Sequence, residues 1–211
     1  MGCVIGVDFD NTLVSYDAVM RRVAVQQGLL ASAARSGKRQ IRDQVRQSVD
    51  GERAWQRLQS VVYGARIGEA RLIDGVSRFF KRCKRSDIPV VIVSHKTEFA
   101  ALDETGTNLR SAAMTWMERH GFFAADGLGL SGRDVYFEST RLGKLERIRQ
   151  LRCTHFIDDL EDTFLEPSFP QHVEKILYYV PSRQRTALPG VRCVGNWQEI
   201  YDYFFDSHSR S

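Results

Sequence analysis

Val4-Ile5-Gly6-Val7-Asp8-Phe9-Asp10-Asn11-Thr12 is the stretch whose reading decides the fold. Its first four residues form a short apolar run that reads as a buried strand. Strand alternation turns Asp8 and Asp10 to the same side and Phe9 into the packing. In an open parallel sheet, ligands bind beyond the carboxyl ends of the strands, so both acids stand where a site belongs. Two convergent carboxylates repel each other unless a cation or a proton lies between them. Magnesium, a hard ion that prefers carboxylate, carbonyl and water oxygens, is the natural partner.

Working outward, similar apolar runs recur at Pro89–Val93, Val135–Phe137, His155–Ile157 and Lys175–Val180. Segments with helical spacing lie between them. Val76, Phe79, Phe80 and Cys83 share one face, as do Leu109, Ala113, Trp116 and Met117, and Leu145 with Ile148. Strands alternating with amphipathic helices predict a parallel sheet covered on both faces, a Rossmann-like α/β fold. Trp197, Ile200, Tyr201 and Phe204 predict a last helix docked on that core, and the polar Asp206–Ser211 is expected to fray.

Residues 15–70 break the alternation with three helical patterns and no convincing strand. Val19, Met20 and Val23 precede Gly28; Ile41, Val45 and Val49 form a second stripe; Trp55, Leu58 and Val62 precede Gly64. The small, polar Ala31–Gly37 reads as a loop. The expected organisation is a core of residues 1–14 and 71–211 with a small all-helical insertion, 15–70, after the first strand.

Composition permits this and excludes several alternatives. The chain has 211 residues, 43% hydrophobic and 27% charged, enough for a packed core with one insertion. No apolar run is long enough to cross a bilayer, and no secretory signal pattern opens the sequence. Cys3, Cys83, Cys153 and Cys193 lack metal-finger spacing, which fits a reduced, cytoplasmic setting. The net charge of +4 suits anionic small molecules, and the basic residues lack the interleaved aromatics of a nucleic-acid surface. Neither a nucleic-acid nor a membrane partner is expected, and the oligomeric state is not readable.

Three further segments carry chemistry. His155-Phe156-Ile157-Asp158-Asp159 is again an apolar strand ending in acids, with Asp162 close behind. A single strand-end acid is often only a turn former or helix cap; two such clusters argue for a site. Val90-Val91-Ile92-Val93-Ser94-His95-Lys96-Thr97 is a strand ending in a hydroxyl, and Leu142-Gly143-Lys144-Leu145 sets a lysine in the first turn of a helix. Ser94 and nearby amides can bind phosphate oxygens, and Lys144 can supply a fixed positive charge.

Taken in order, these four segments resemble the haloacid dehalogenase (HAD) superfamily. DFDNT matches its first motif, Ser94 its second, Lys144 its third and the Asp158-Asp159 pair its fourth. The match spans essentially the whole chain, and residues 15–70 stand where many members carry a cap domain. The resemblance implies that Asp8 attacks phosphorus to form an aspartyl-phosphate. Asp10 would protonate the leaving oxygen and then activate water. Asp8, the backbone carbonyl of Asp10, and Asp158 with Asp159 would hold Mg2+, the inner ligand of the last pair being undecided. Ser94 and Lys144 would bind the transferring phosphoryl group, with Asn11, Thr12 and His95 adding contacts or orienting the loop. Asp162, in a DDxxD rather than GDxxxD pattern, would support the ligands from behind.

An acid at position 10 favours a phosphatase over a dehalogenase or an ion pump. The expected activity is magnesium-dependent hydrolysis of a small phosphate monoester, such as a sugar phosphate or nucleotide. The alternatives are a phosphotransferase to another acceptor and a non-catalytic binding protein. Lys96, Arg42 and Trp55 are candidate substrate contacts; for Arg42 the competing reading is a solvated helix face, and for Trp55 it is core packing. The polar stretch 96–108 is a candidate substrate-facing loop.

Overall fold

The computed structural model describes residues 2–30, 38–102, 105–179 and 188–206. The chain divides into two compact units, one of Met1–Val14, Leu72–Lys96 and His120–Ser211, the other of Ser15–Arg71 and Thr97–Arg119. The second therefore adds 97–119, which the sequence reading left with the core, to the helical insertion.

The first unit is built on a six-stranded sheet. Its strands are β1 (Ile5–Val7), β4 (Val90–His95), β5 (Val135–Glu138), β6 (His155–Asp158), β7 (Glu174–Tyr178) and β8 (Val191–Val194). They run in the order β5-β4-β1-β6-β7-β8, every pairing parallel. The chain steps from β1 out to β4 and β5, then returns to the other side of β1 with β6. That reversal puts the topological switch point between β1 and β6, where open α/β sheets bind ligands. The expected α/β fold and its five strands are present, within a residue or two of their expected ends. The sixth, β8, was not anticipated; its four residues follow Pro189-Gly190 and are too few to stand out. Val180, Ala31–Gly37 and residues 207–211 lie outside the described residues.

Helices cover both sheet faces because their apolar stripes have period 3.6 and the central strands β1, β4 and β6 are buried on both sides. On one face Val91 and Val93 of β4 join Leu145 and Ile148 of α6 (Arg141–Gln150), together with Phe156, Phe164 and Leu177. On the other, Phe79 of α4 (Val76–Arg85) meets Trp197 of α8 (Trp197–Phe205) with ring centroids 5.2 Å apart. Burial of each such side chain contributes about 2 kcal/mol. Two caps fix helix starts: Thr140 accepts from the Gly143 amide and Asn196 from the Glu199 amide.

The second unit contains α1 (Asp17–Gln26), α2 (Lys38–Arg46), α3 (Gly51–Tyr63) and α5 (Leu109–Arg119). The expected stripes on α1 and α3 are buried, including Val19, Met20, Leu58 and Val62. Tyr16 and Tyr63 pack edge to face, and Trp116 Nε1 donates to the Ala70 carbonyl at 3.1 Å. The second stripe needs correction: Ile41 and Val45 are buried, but Val49 follows the end of α2 and is 99% exposed. The described β2 (Val14–Ser15) and β3 (Arg71–Leu72) form a separate two-stranded sheet where the chain passes between units. No described helix is long and apolar enough to cross a membrane.

Candidate active site

Pairing between β1 and β6 continues one residue past β1, where the Asp8 amide donates to the Ile157 carbonyl at 2.8 Å. The chain then turns sharply. The amides of Leu13 and Val14 both donate to the Phe9 carbonyl, and that of Asn11 to the Val14 carbonyl. Asn11 sits at φ 61°, a left-handed conformation that Asn tolerates better than most residues. That conformation makes Asn11 part of the turn. Trp197 Nε1 anchors the loop by donating to the Thr12 carbonyl at 3.0 Å. Thr12 is fully buried, and its Oγ1 has no hydrogen-bond partner among the described residues. Such a hydroxyl carries a cost of about 1–3 kcal/mol that a ligand or water would relieve.

Three elements bring charge to the switch point. Asp8 follows β1, Asp158 ends β6, and Lys144 lies in the first turn of α6, all buried. The Lys144 ammonium lies between the two acids, 2.6 Å from Asp8 Oδ1 and 2.7 Å from Asp158 Oδ2. Asp158 Oδ1 accepts from the Leu160 amide at 2.9 Å, so both its oxygens are held. Oxygens of Asp8, Asp158 and Asp159 lie within 4.8 Å of one another. That one ammonium serves both Asp8 and Asp158. Burial pushes Asp8 up to about 7; Lys144 opposes that shift, while Asp158 and Asp10 reinforce it. Burial pulls Lys144 down, but Asp158 and Asp8 outweigh it and hold the ammonium above its ordinary range. A hard divalent cation fits this donor set, being the species that relieves crowded carboxylates.

The second acid of the loop has its own lysine. Lys96, one residue past β4, is buried, with Nζ 2.9 Å from Asp10 Oδ2 and 3.1 Å from Oδ1. Ser94 is buried two residues earlier, on the same side by strand alternation, and His95 points the other way and is exposed. His95 Nε2 lies 3.2 Å from the Ser139 carbonyl, and desolvation lowers its pKa against that contact.

The other expected residues fall differently. Asp162 does not stand behind the acids: its side chain is 67% exposed in the first turn of α7 (Glu161–Leu165) and pairs with Arg141 at 3.5 Å. The adjacent helix start takes Asp162 outward while Asp158 stays in the sheet. Arg42 is half-buried on α2 and pairs with its neighbour Asp43 at 2.9 Å, and Trp55 is only 3% exposed on α3. The stretch 97–108 falls in the second unit, and 103–104 lie outside the described residues. Two features went unread. Strand alternation beyond Ser94 could have indicated Lys96 as a partner of the acids. Asp74 had no such signal; with Asp159 it adds to the burial that raises the Tyr178 phenol.

No protein-family model matches the sequence, and no curated protein is significantly similar to it. Solved structures do match. A HAD family hydrolase from Deinococcus radiodurans, with bound phosphate and sodium, is 13% identical with a TM-score of 0.60, over 98% of this chain and 96% of that one. A family IA, variant 3 HAD hydrolase from Entamoeba histolytica is 12% identical with a TM-score of 0.57, over 94% and 95%. CbbY from Rhodobacter sphaeroides, in complex with phosphate, is 16% identical with a TM-score of 0.50, over 95% and 96%. At these identities the likeness is one of fold.

Proposed function

We propose that this chain, whose fold is that of the haloacid dehalogenase-like hydrolases, is a phosphatase-type hydrolase acting on small phosphate monoesters. The observation that carries the reading is Lys144 held between Asp8 and Asp158, with Asp159 completing a group of three acids at the switch point. Two neighbours of the same fold carry phosphate, which supports a phosphate ester as the substrate class.

In this reading an Asp8 carboxylate oxygen attacks phosphorus, the bond to the ester oxygen breaks, and that oxygen takes a proton from Asp10. The aspartyl-phosphate is then opened by water, whose proton passes to Asp10, leaving Asp8 and inorganic phosphate. Lys144 offsets negative charge at the nucleophile throughout, and Ser94 offers a hydroxyl to the phosphoryl oxygens. Asp8, Asp158, Asp159 and the Asp10 carbonyl would hold Mg2+, which supplies charge neutralisation for the incoming phosphate. Residues 15–70 stand in the chain where a cap domain would.

Phosphate release from a panel of monoesters, with and without Mg2+, tests this against the Asp8→Asn variant. The expected result is Mg2+-dependent turnover abolished by the substitution. Turnover surviving in Asp8→Asn rejects the nucleophile. No turnover by a folded, Mg2+-binding protein rejects the hydrolase; turnover only with an added hydroxyl acceptor makes it a transferase.

A further inference from the structure

Lys96 is among the most buried charged side chains described, at 4% exposure, yet it neither joins the group of three acids nor lies on the surface. Its origin is fixed by the sheet, since its backbone amide donates to the Glu138 carbonyl at 2.9 Å and extends the β4–β5 ladder. Its ammonium reaches both carboxylate oxygens of Asp10 and lies 5.5 Å from the Phe9 ring centroid. Burying an ammonium is costly unless a partner is well placed. Asp10 supplies that partner and keeps 20% of its side chain exposed, so the pair has a closed lysine end and an open carboxylate end.

We infer that Lys96 is a positioning residue for Asp10, holding its carboxyl at the open end of the pair in the orientation that proton transfer requires. The inference rests on Asp10 being the acid–base group of the proposed reaction. A general acid works only within about 2.6–3.2 Å of the oxygen it protonates. A carboxyl on a turn, part-exposed, rotates away from that geometry unless something holds it. With three N–H donors, the ammonium can retain one Asp10 oxygen while the other turns to the leaving oxygen or to water. Lys96 gives up no proton. In the first half-reaction the proton passes from Asp10 to the leaving oxygen as its bond to phosphorus breaks; in the second it returns to Asp10 from water. Lys96 would thus orient both transfers.

The test compares kcat/KM for an alkyl phosphate, whose leaving oxygen needs a proton, with that for p-nitrophenyl phosphate, whose leaving group needs one far less. Lys96→Met is expected to lower the alkyl value about 100-fold and the nitrophenyl value less than about threefold, within the range of general-acid contributions. Lys96→Arg is expected to restore part of the alkyl value, and Lys96→Met added to Asp10→Asn to cost nothing further. Lys96→Gln serves the same comparison if Lys96→Met does not fold. Equal losses on both esters, or a raised KM with kcat unchanged, overturn the assignment. A wild-type protein without Mg2+-dependent turnover fails the functional reading instead. In that case the carboxyl NMR resonance of Asp10 in labelled protein, identified by its loss in Asp10→Asn, decides the positioning alone. It should shift and broaden in Lys96→Met; an unchanged resonance overturns the proposal.

Discussion

Lys144 contacts Asp8 at 2.6 Å across 136 positions of sequence, and both side chains are buried. The contact exists because the first turn of α6 and the end of β1 meet at the switch point, where Asp158 receives the same ammonium. It joins the proposed nucleophile, a fixed cation and the acids suited to a metal in one arrangement of opposed charges. Three consequences can be measured, and the packing of β1 offers a fourth test.

Lys144→Met should destabilise the metal-free protein by about 3–5 kcal/mol, because it leaves Asp8 and Asp158 facing each other without a cation. Urea unfolding reads the loss. Mg2+ should recover part of it, and adding Asp158→Asn should recover part of it in the absence of metal. A stability unchanged by Lys144→Met would mean the ammonium contributes nothing there.

Asp8 ionises near 3.8 in the unfolded chain and at about 7 in the fold. Between those values the folded protein holds a proton that the unfolded one lacks. This contribution therefore favours folding at low pH and is lost as pH rises through about 7. The stability of the metal-free wild type relative to Asp8→Asn should fall across that window. Mg2+ affinity should change in the opposite sense, rising with pH to about 7, with proton release visible by calorimetry in two buffers.

Asp158 and Asp159 should separate by role. Asp158 is fully buried with both oxygens held, whereas Asp159 is only partly buried. Asp159→Asn should weaken Mg2+ binding about tenfold or more with little change in the metal-free melting temperature. Asp158→Asn should lower that melting temperature as well. Titration calorimetry and thermal melts of both variants distinguish the pair, and equal effects would remove the distinction.

Gly6 lies in β1, and a Cβ added there would come 2.6 Å from the Phe156 ring and 3.0 Å from Cys153 Sγ. Gly6→Ala should cost about 1–3 kcal/mol by overpacking. Urea denaturation checks it, and a neutral result would mean the Phe156 ring moves aside freely.

The fold was legible because its signals are local: Val4–Val7 and the other apolar runs alternate with helical stripes such as Val76, Phe79, Phe80 and Cys83. β8 was missed because four residues at a sheet edge carry little periodicity, and Val49 was misplaced because a stripe does not announce where its helix ends. At the site, the strand-end position of Asp8, Asp10 and Asp158 was readable from where the apolar runs stop. The outward turn of Asp162 was not, because the start of α7, one residue earlier, sets its direction.

The sequence by itself determined which residue types end which strands, since strand alternation and burial act over a few neighbouring positions. Only the tertiary structure decided how the charges pair: Lys144 with Asp8 and Asp158, Lys96 with Asp10. A lysine's ammonium stands several bonds from the backbone, and its partner is whatever acid the sheet order brings within reach. That order places β4 and β6 on either side of β1, a relation no local pattern contains.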